Sequence, residues 1–187
     1  MHISMYDHKI VQENIKKCKK LGVKFVEPII EKSKAKMAYI SEIVSYIIRE
    51  IGKQDLSKKK VLVIGGPTAE SIDEVRVITN RSSGKTAILL IKNSFYRGAD
   101  VELWYGFGTE KPPDYIKTIS FNTISDILKL IESNDLKKFN VIILCAALSD
   151  YIPQKHKGKI PSGKNDLIIE MSQAPKIIEG LRKKAPN

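Results

Sequence analysis

Cysteine is nearly missing from this sequence: only Cys18, in a lysine-rich stretch, and Cys145, at the end of an apolar run, are present. Two isolated thiols exclude a disulfide framework and a thiolate metal site. His2, His8 and His156 are scattered, with no pair at ligand spacing, so no residue is assigned to a metal. Aromatic residues are sparse, at 7%, and none interleaves with the lysine clusters as a base-stacking surface requires. No uninterrupted apolar run approaches the length of a membrane span, so no membrane partner is expected. The start, Met1-His2-Ile3-Ser4-Met5, lacks a basic segment followed by an apolar stretch, and a cytoplasmic location is the expectation.

What is present is the composition of an ordinary globular chain: 187 residues, 42% hydrophobic and 28% charged. The formal net charge of +11 invites a nucleic-acid reading. The lysines are spread through residues 16–20, 32–36, 58–60 and 182–184, however, which reads as solvated helix faces or as a field that gathers small anionic substrates such as nucleotides. No nucleic-acid partner is expected.

Asp7 suits the cap of a helix running to Lys20, and residues 23–26 read as a short strand closed by Pro28. Met37, Ile40, Ile43, Val44, Ile47, Ile48 and Ile51 follow a helical period that Gly52 ends. A polar, lysine-rich connector follows, and a boundary is placed between residues 1–55 and 56–187. The second part alternates. Strands are expected at 61–64, 101–105, 115–119, 141–145 and 167–171, and helices at 85–96, with Ala87, Ile88, Ile91 and Phe95 inward, at 124–131 and at 175–184. Trp104 suits the core or a sheet edge. This pattern predicts an α/β fold: a Rossmann-like, open, mostly parallel sheet with helices on both faces, preceded by a helical N-terminal appendage. The apolar run 141–145 suits a central strand covered on both faces, and the long polar stretch to Asp166 suits a functional or disordered loop.

In such a sheet a ligand lies beyond the carboxyl ends of the strands, which directs attention to the turns after Ile64 and Cys145. Ser82-Ser83-Gly84-Lys85 superficially resembles a Walker loop but has Thr79 where the first glycine belongs, and it does not directly follow a strand. Serine and glycine amides ahead of a helix still suit phosphate. Asn80 alone reads as a helix cap or an Asx-turn as readily as a ligand, and Lys159 alone as one more solvated lysine beside Lys155, Lys157 and Lys164. Glu70 and Asp73 have the chemistry to bind Mg2+, while Asp73 equally suits a helix start.

The run Gly65, Gly66, Thr68, Glu70, Ile72-Asp73, Val75-Arg76, Thr79-Asn80-Arg81-Ser82-Ser83-Gly84-Lys85 resembles the signature of phosphopantothenate-cysteine ligases. Cys145-Ala146-Ala147-Leu148-Ser149-Asp150-Tyr151, Gly158-Lys159-Ile160 and Ser172-Gln173-Ala174-Pro175-Lys176-Ile177 resemble three further segments of that family. The resemblance implies an enzyme of coenzyme A biosynthesis that ligates 4'-phosphopantothenate with cysteine through an acyl-cytidylate, using CTP with Mg2+. It implies Asn80 and Lys159 as catalytic residues, and Leu144, Cys145, Ala146, Asp150, Lys159, Ser172, Gln173, Ala174 and Pro175 around the CTP. Gly65, Gly66, Thr68, Arg76, Ser82, Ser83, Gly84 and Lys85 are implied for phosphate and substrate.

Residues 1–51 resemble the carboxyl end of the flavin-dependent decarboxylase often fused ahead of this ligase, through Met1–Tyr6 and Val23-Lys24-Phe25-Val26-Glu27-Pro28. The flavin segments of that family are absent, so no FMN is expected on this piece. The resemblance covers part of each family domain, short at both ends. The expected assembly is a homodimer or a complementing subunit, with a noncatalytic nucleotide-binding fragment as the alternative reading.

Overall fold

The computed structural model describes residues 1–163 and 166–185, which leaves Lys164, Asn165 and the last two residues of the expected second domain outside the described residues. The chain divides into two compact units, Met1–Gly52 and Lys53–Asn187. No helix among the described residues is long and apolar enough to cross a membrane.

The first unit contains helices α1 (Ile3–Tyr6) and α2 (Lys9–Lys20), an antiparallel hairpin of β1 (Ile29–Glu31) and β2 (Lys34–Lys36), and helix α3 (Ile40–Ile51). Two expectations need correction. Asp7 does not cap α2: α1 occupies the residues before it, and the Asp7 amide donates back to the Ile3 carbonyl at 2.8 Å. His8 is the cap, its Nδ1 accepting from the Ile10 amide at 3.3 Å. Residues 23–26 form no strand, because β1 and β2 pair with each other instead, and β propensity acts only where a partner strand is supplied. In α3 Ser45 is buried, whereas Ile40, Val44, Ile47 and Ile51 are exposed.

The second unit is built on four parallel strands: β3 (Lys60–Gly65), β6 (Asp100–Tyr105), β7 (Lys117–Ser120) and β8 (Val141–Leu144), in the spatial order β7-β6-β3-β8. Around them lie the short strands β4 (Ala69–Ser71), β5 (Val77–Thr79), β9 (Tyr151–Pro153) and β10 (Met171–Gln173). The helices are α4 (Lys85–Tyr96), α5 (Ile124–Ser133) and α6 (Ile177–Lys184). Successive side chains of a strand face opposite ways. On β3, Leu62 and Ile64 therefore join Trp104, Ile124, Ile127, Ile131, Ile177 and Leu181 in one core that seats α5 and α6. Gly65 faces the other side and meets Ala87 of α4. The expected inward residues of α4, Ala87, Ile88, Ile91 and Phe95, are all buried. Each large aliphatic side chain so buried contributes about 1.5–3 kcal/mol. The result is the Rossmann-like sheet with helices on both faces.

Local signals explain the boundaries. Gly98, at φ 91, ends the turn that follows α4, a conformation open to glycine at little cost. Thr123 and Asp126 form a reciprocal capping box that starts α5. Trp104 is core, and its indole N–H donates to buried Glu102 at 3.0 Å.

The strand at 141–145 is not central. It lies at the end of the four-stranded sheet, with Ile142, Ile143 and Leu144 only half-buried. An apolar run reports burial of a strand's faces and says nothing of whether both edges are paired. The strand expected at 167–171 forms at Met171–Gln173 instead, because β10 pairs antiparallel with β9 in the register Ser172↔Ile152, leaving Leu167 and Ile168 exposed. Pro175 precedes α6 rather than opening it.

Candidate active site

The strand order places β3 between β6 on one side and β8 on the other, so the chain reverses direction across the sheet at the β3/β8 junction. A crevice beyond the carboxyl ends at such a junction is where open α/β sheets bind ligands. The residues leaving these two strands are Gly65-Gly66-Pro67 and Cys145-Ala146-Ala147. They run side by side, with Pro67 and Ala147 forming a parallel bridge. The Ala147 amide donates to the Gly66 carbonyl at 3.1 Å, and the Thr68 amide to the Ala147 carbonyl at 3.2 Å. Gly66 has φ 80, and a Cβ there would stand 2.9 Å from the Gly106 amide, so the bend requires glycine twice over.

Asn80 reaches this junction because β4 and β5 fold back as a hairpin. Thr79 closes the return, its hydroxyl donating to the Thr68 carbonyl at 2.7 Å. The Asn80 Nδ2 then donates to the carbonyls of Ala147 and Leu148 at 3.0 and 3.2 Å. The first motif is thereby tied to the second by a side chain, and Asn80 is neither a helix cap nor an Asx-turn. Thr68 is fully buried, and its hydroxyl is paired with that of Ser149 at 3.0 Å. Its side chain, its amide and its carbonyl are therefore all engaged within the protein, which makes Thr68 a brace of the junction.

Helix α4 begins beside the same bend, since Ala87 in its first turn packs on Gly65. Gly84 caps it at φ 79, where a Cβ would collide with the Tyr105 hydroxyl at 2.0 Å. That hydroxyl donates to the Ser83 carbonyl at 3.0 Å, so the end of β6 fastens the Ser82-Ser83-Gly84 turn. Lys85 is exposed, and its amide donates to the Ser83 hydroxyl at 3.3 Å.

On the other side of β8, Leu144, Asp150, Ala174 and Pro175 line a cleft of about 170 Å3. Pockets for whole small ligands usually exceed about 300 Å3, so this cleft suits one ring of a larger molecule. Ser172 and Gln173 lie outside its wall, exposed on β10. Cys145 and Ala146 are half-buried at the bend, and burial pushes the Cys145 thiol up, which makes it a poor nucleophile. Asp150 is paired with Lys176 at 2.7 Å.

Lys159 is exposed, but its neighbour Ile160 is fixed. Asp73 accepts from the Ile160 amide at 3.0 Å and from Arg76 Nη1 at 2.7 Å, and Arg76 donates to the Ile160 carbonyl from both Nη1 and Nη2 at 3.2 and 3.3 Å. Asp73 starts no helix. Its other oxygen accepts from the Val75 and Arg76 amides at 2.7 and 2.6 Å. These donors, the Ile160 amide foremost, hold its carboxyl at about 2 against the opposing effect of burial.

Glu70 is buried, and its Oε1 accepts from the Ile124 amide at 2.8 Å, joining the hairpin to the start of α5. Burial raises its carboxyl above the ordinary value, while the Ile124 amide pulls the other way. For a raised acid the stability is fully present below the unfolded value and is lost as pH rises through the folded one. Glu70→Gln keeps an acceptor for Ile124 and removes the ionisation. Thermal melts should therefore show the variant matching or exceeding the parent at pH about 8, with no such gain at pH about 4. A gain confined to the acidic melt would disprove the assignment.

Among the described residues no group of three or more His, Cys, Asp or Glu side chains converges on a metal position. Asp73 and Glu70 are already engaged with backbone amides, so the residues do not fit a protein-held Mg2+.

The family described as DNA/pantothenate metabolism flavoprotein C-terminal domain matches residues 56–187. The chain belongs to that family. A second family, Flavoprotein, matches residues 1–52. The chain is 43% identical over 190 residues to the coenzyme A biosynthesis bifunctional protein CoaBC of Thermococcus kodakarensis, covering 100% of this chain and 46% of the relative. It is 37% identical over 187 residues to the CoaBC protein of Methanocaldococcus jannaschii, covering 98% and 45%. The chain thus spans about half the length of the curated relatives it matches. The crystal structure of the DNA/pantothenate metabolism flavoprotein from Streptococcus pneumoniae superposes with a TM-score of 0.62 at 26% identity, over 68% of this chain and 66% of that one.

Ser149 and Lys176 stand within the quoted segments and Tyr105 at the end of an expected strand, but the sequence assigns none of them a role in the site. Their contacts join residues far apart in the chain, and no periodicity announces such pairs.

Proposed function

We propose that the second unit ligates 4'-phosphopantothenate with cysteine in coenzyme A biosynthesis, using CTP and passing through an acyl-cytidylate. The observation that carries this reading is the junction itself: two glycine- and alanine-rich bends side by side at the reversal of the sheet, with Asn80 spanning them. The names of the curated relatives, coenzyme A biosynthesis bifunctional proteins, support the pathway.

A carboxylate is a poor electrophile. Its oxygen attacks the α-phosphorus of CTP, the bond to the β-phosphate oxygen breaks, and pyrophosphate leaves. The amine of cysteine then attacks the acyl carbon, the bond from that carbon to the bridging oxygen breaks, CMP departs carrying that former carboxylate oxygen, and the nitrogen sheds a proton. Negative charge builds on phosphoryl and acyl oxygens, where fixed donors are worth most. In this reading the amides around Gly65-Gly66 and the start of α4, with Ser82, Ser83 and Lys85, meet phosphate, as exposed donors ahead of a helix suit an anion. Lys159 brings a compact charge on a flexible stem. Asn80, already at the junction, meets the acyl-cytidylate, and the cleft at Leu144, Asp150, Ala174 and Pro175 takes the cytosine. Asp150 must leave Lys176 to do so, and so exposed a pair resists little. Within this reading residues 1–52 bind no flavin by themselves, and the chain works as a homodimer or beside a complementing subunit.

The second reading is a noncatalytic or complementing nucleotide-binding subunit, in which the same junction holds the nucleotide without turnover. Calorimetry and pyrophosphate release separate the two. The full chain is expected to bind CTP with Mg2+, at least tenfold more weakly in Asp150→Ala by roughly one lost charge-assisted contact. Lys159→Gln is expected to slow pyrophosphate release about 10²-fold. Failure to bind CTP removes the site, and binding without release selects the second reading.

A further inference from the structure

We infer that Asp73 and Arg76 form a clamp on the peptide of Ile160, and that Asp73 is a positioning residue for Lys159. Both backbone polar groups of Ile160 are satisfied by one acid–base pair, the amide by Asp73 at 3.0 Å and the carbonyl by Arg76 at 3.2 and 3.3 Å. The Ile160 side chain is buried, and the Asp73 carboxylate is 0% exposed. A charged group withdrawn this far from water persists only where donors surround it, and here four do.

A second fixed point lies upstream, where the His156 amide donates to the Ile72 carbonyl at 2.8 Å. Between these points the chain turns at Gly158, φ 73, where an added Cβ would meet nothing within 4 Å. Lys159 is therefore carried on a short arch held at both feet by the Ile72–Arg76 turn, not on a free loop from β9 to β10. Ordering a free segment of that length would cost conformational entropy at every turnover. The clamp removes most of that cost in advance, so that only the lysine stem has to be ordered on the phosphate.

The positioning half of this inference rests on the ligase reading of Lys159; the clamp half does not, and the experiment keeps them apart. Limited trypsin digestion of the full chain reports the bond after Lys159 against the control bond after Lys20, whose neighbour Leu21 is 84% exposed. In Asp73→Asn, cleavage after Lys159 is expected to rise about tenfold or more, as loss of a hydrogen bond to a charged group frees the segment. Cleavage after Lys20 stays unchanged. Arg76→Gln, which leaves the bond to the Ile160 amide, gives a smaller rise. No rise after Lys159 overturns the clamp, as does an equal rise at both bonds. Should Asp73→Asn not fold, the ratio in Arg76→Gln decides.

In the pyrophosphate assay Asp73→Asn is expected to lower kcat about tenfold with KM for CTP within about threefold, and to have no further effect in the Lys159→Gln background. Losses that multiply across the two variants overturn the positioning role. Absence of any turnover defeats the ligase reading and that role together, while the digestion ratio still decides the clamp.

Discussion

Asn80→Asp is expected to slow pyrophosphate release by about 10²- to 10³-fold, the scale on which single donors at developing charge act. The side-chain amide now donates to the carbonyls of Ala147 and Leu148 at 3.0 and 3.2 Å. A carboxylate oxygen in its place faces both carbonyl oxygens, forces the hairpin away from the second bend, and sets a negative charge where a triphosphate must approach. Asn80→Ala should lose less, because Asn80 is exposed and water replaces its donor at the two carbonyls. The order of the two variants carries the test. An aspartate variant that keeps activity within a few-fold, or that exceeds the alanine variant, removes Asn80 from the site.

Gly65→Ala is expected to lower the melting temperature by roughly 6–12 °C, from an overpacking cost of about 3 kcal/mol. A Cβ at Gly65 would lie 2.0 Å from the Ala87 Cβ, whereas carbon atoms rest at about 3.5–4.0 Å. Ala87 is in the first turn of α4 and buried, so relief means moving the helix, and with it the Ser82-Ser83-Gly84 turn. CTP binding should weaken along with stability. Ala87→Gly introduced into the same chain vacates the collision and should restore most of the loss, leaving about 1 kcal/mol for glycine inside a helix. If the double variant melts no higher than Gly65→Ala, the contact is not the cause.

How far the sequence was readable depended on the range of the signal. Helix α4 is legible in the sequence, because Ala87, Ile88, Ile91 and Phe95 repeat at helical spacing ahead of Gly98. Strand β3 was legible because an apolar run enters a glycine turn. The edge position of β8 was not, since an edge strand under two packed faces reads like a central one. The hairpin of β4 and β5 was missed as well. Three-residue strands carry no period, and this one is held by the Thr79 hydroxyl and by Asp73 under its turn. The junction itself was anticipated from two motifs, yet the contacts that close it, Thr68 to Ser149 and Tyr105 to Ser83, are polar pairs between distant residues. In the sequence Asp73 reads as a helix start or a magnesium ligand. Its actual partner, Ile160, is an apolar residue whose backbone does the binding, and no side-chain chemistry in the sequence points to it.

The order β7-β6-β3-β8 also sets a timetable for synthesis. Val61 can meet Val101 as soon as β6 leaves the ribosome, but its other neighbour, Val141, emerges only after β7 and α5 have been made. Until then the innermost strand of the finished sheet is an outer one, with a bare row of amides and carbonyls beside apolar side chains. Translation through residues 121–140 is therefore the interval in which a growing chain is most open to adhesion with its neighbours, and in which a chaperone has most to cover.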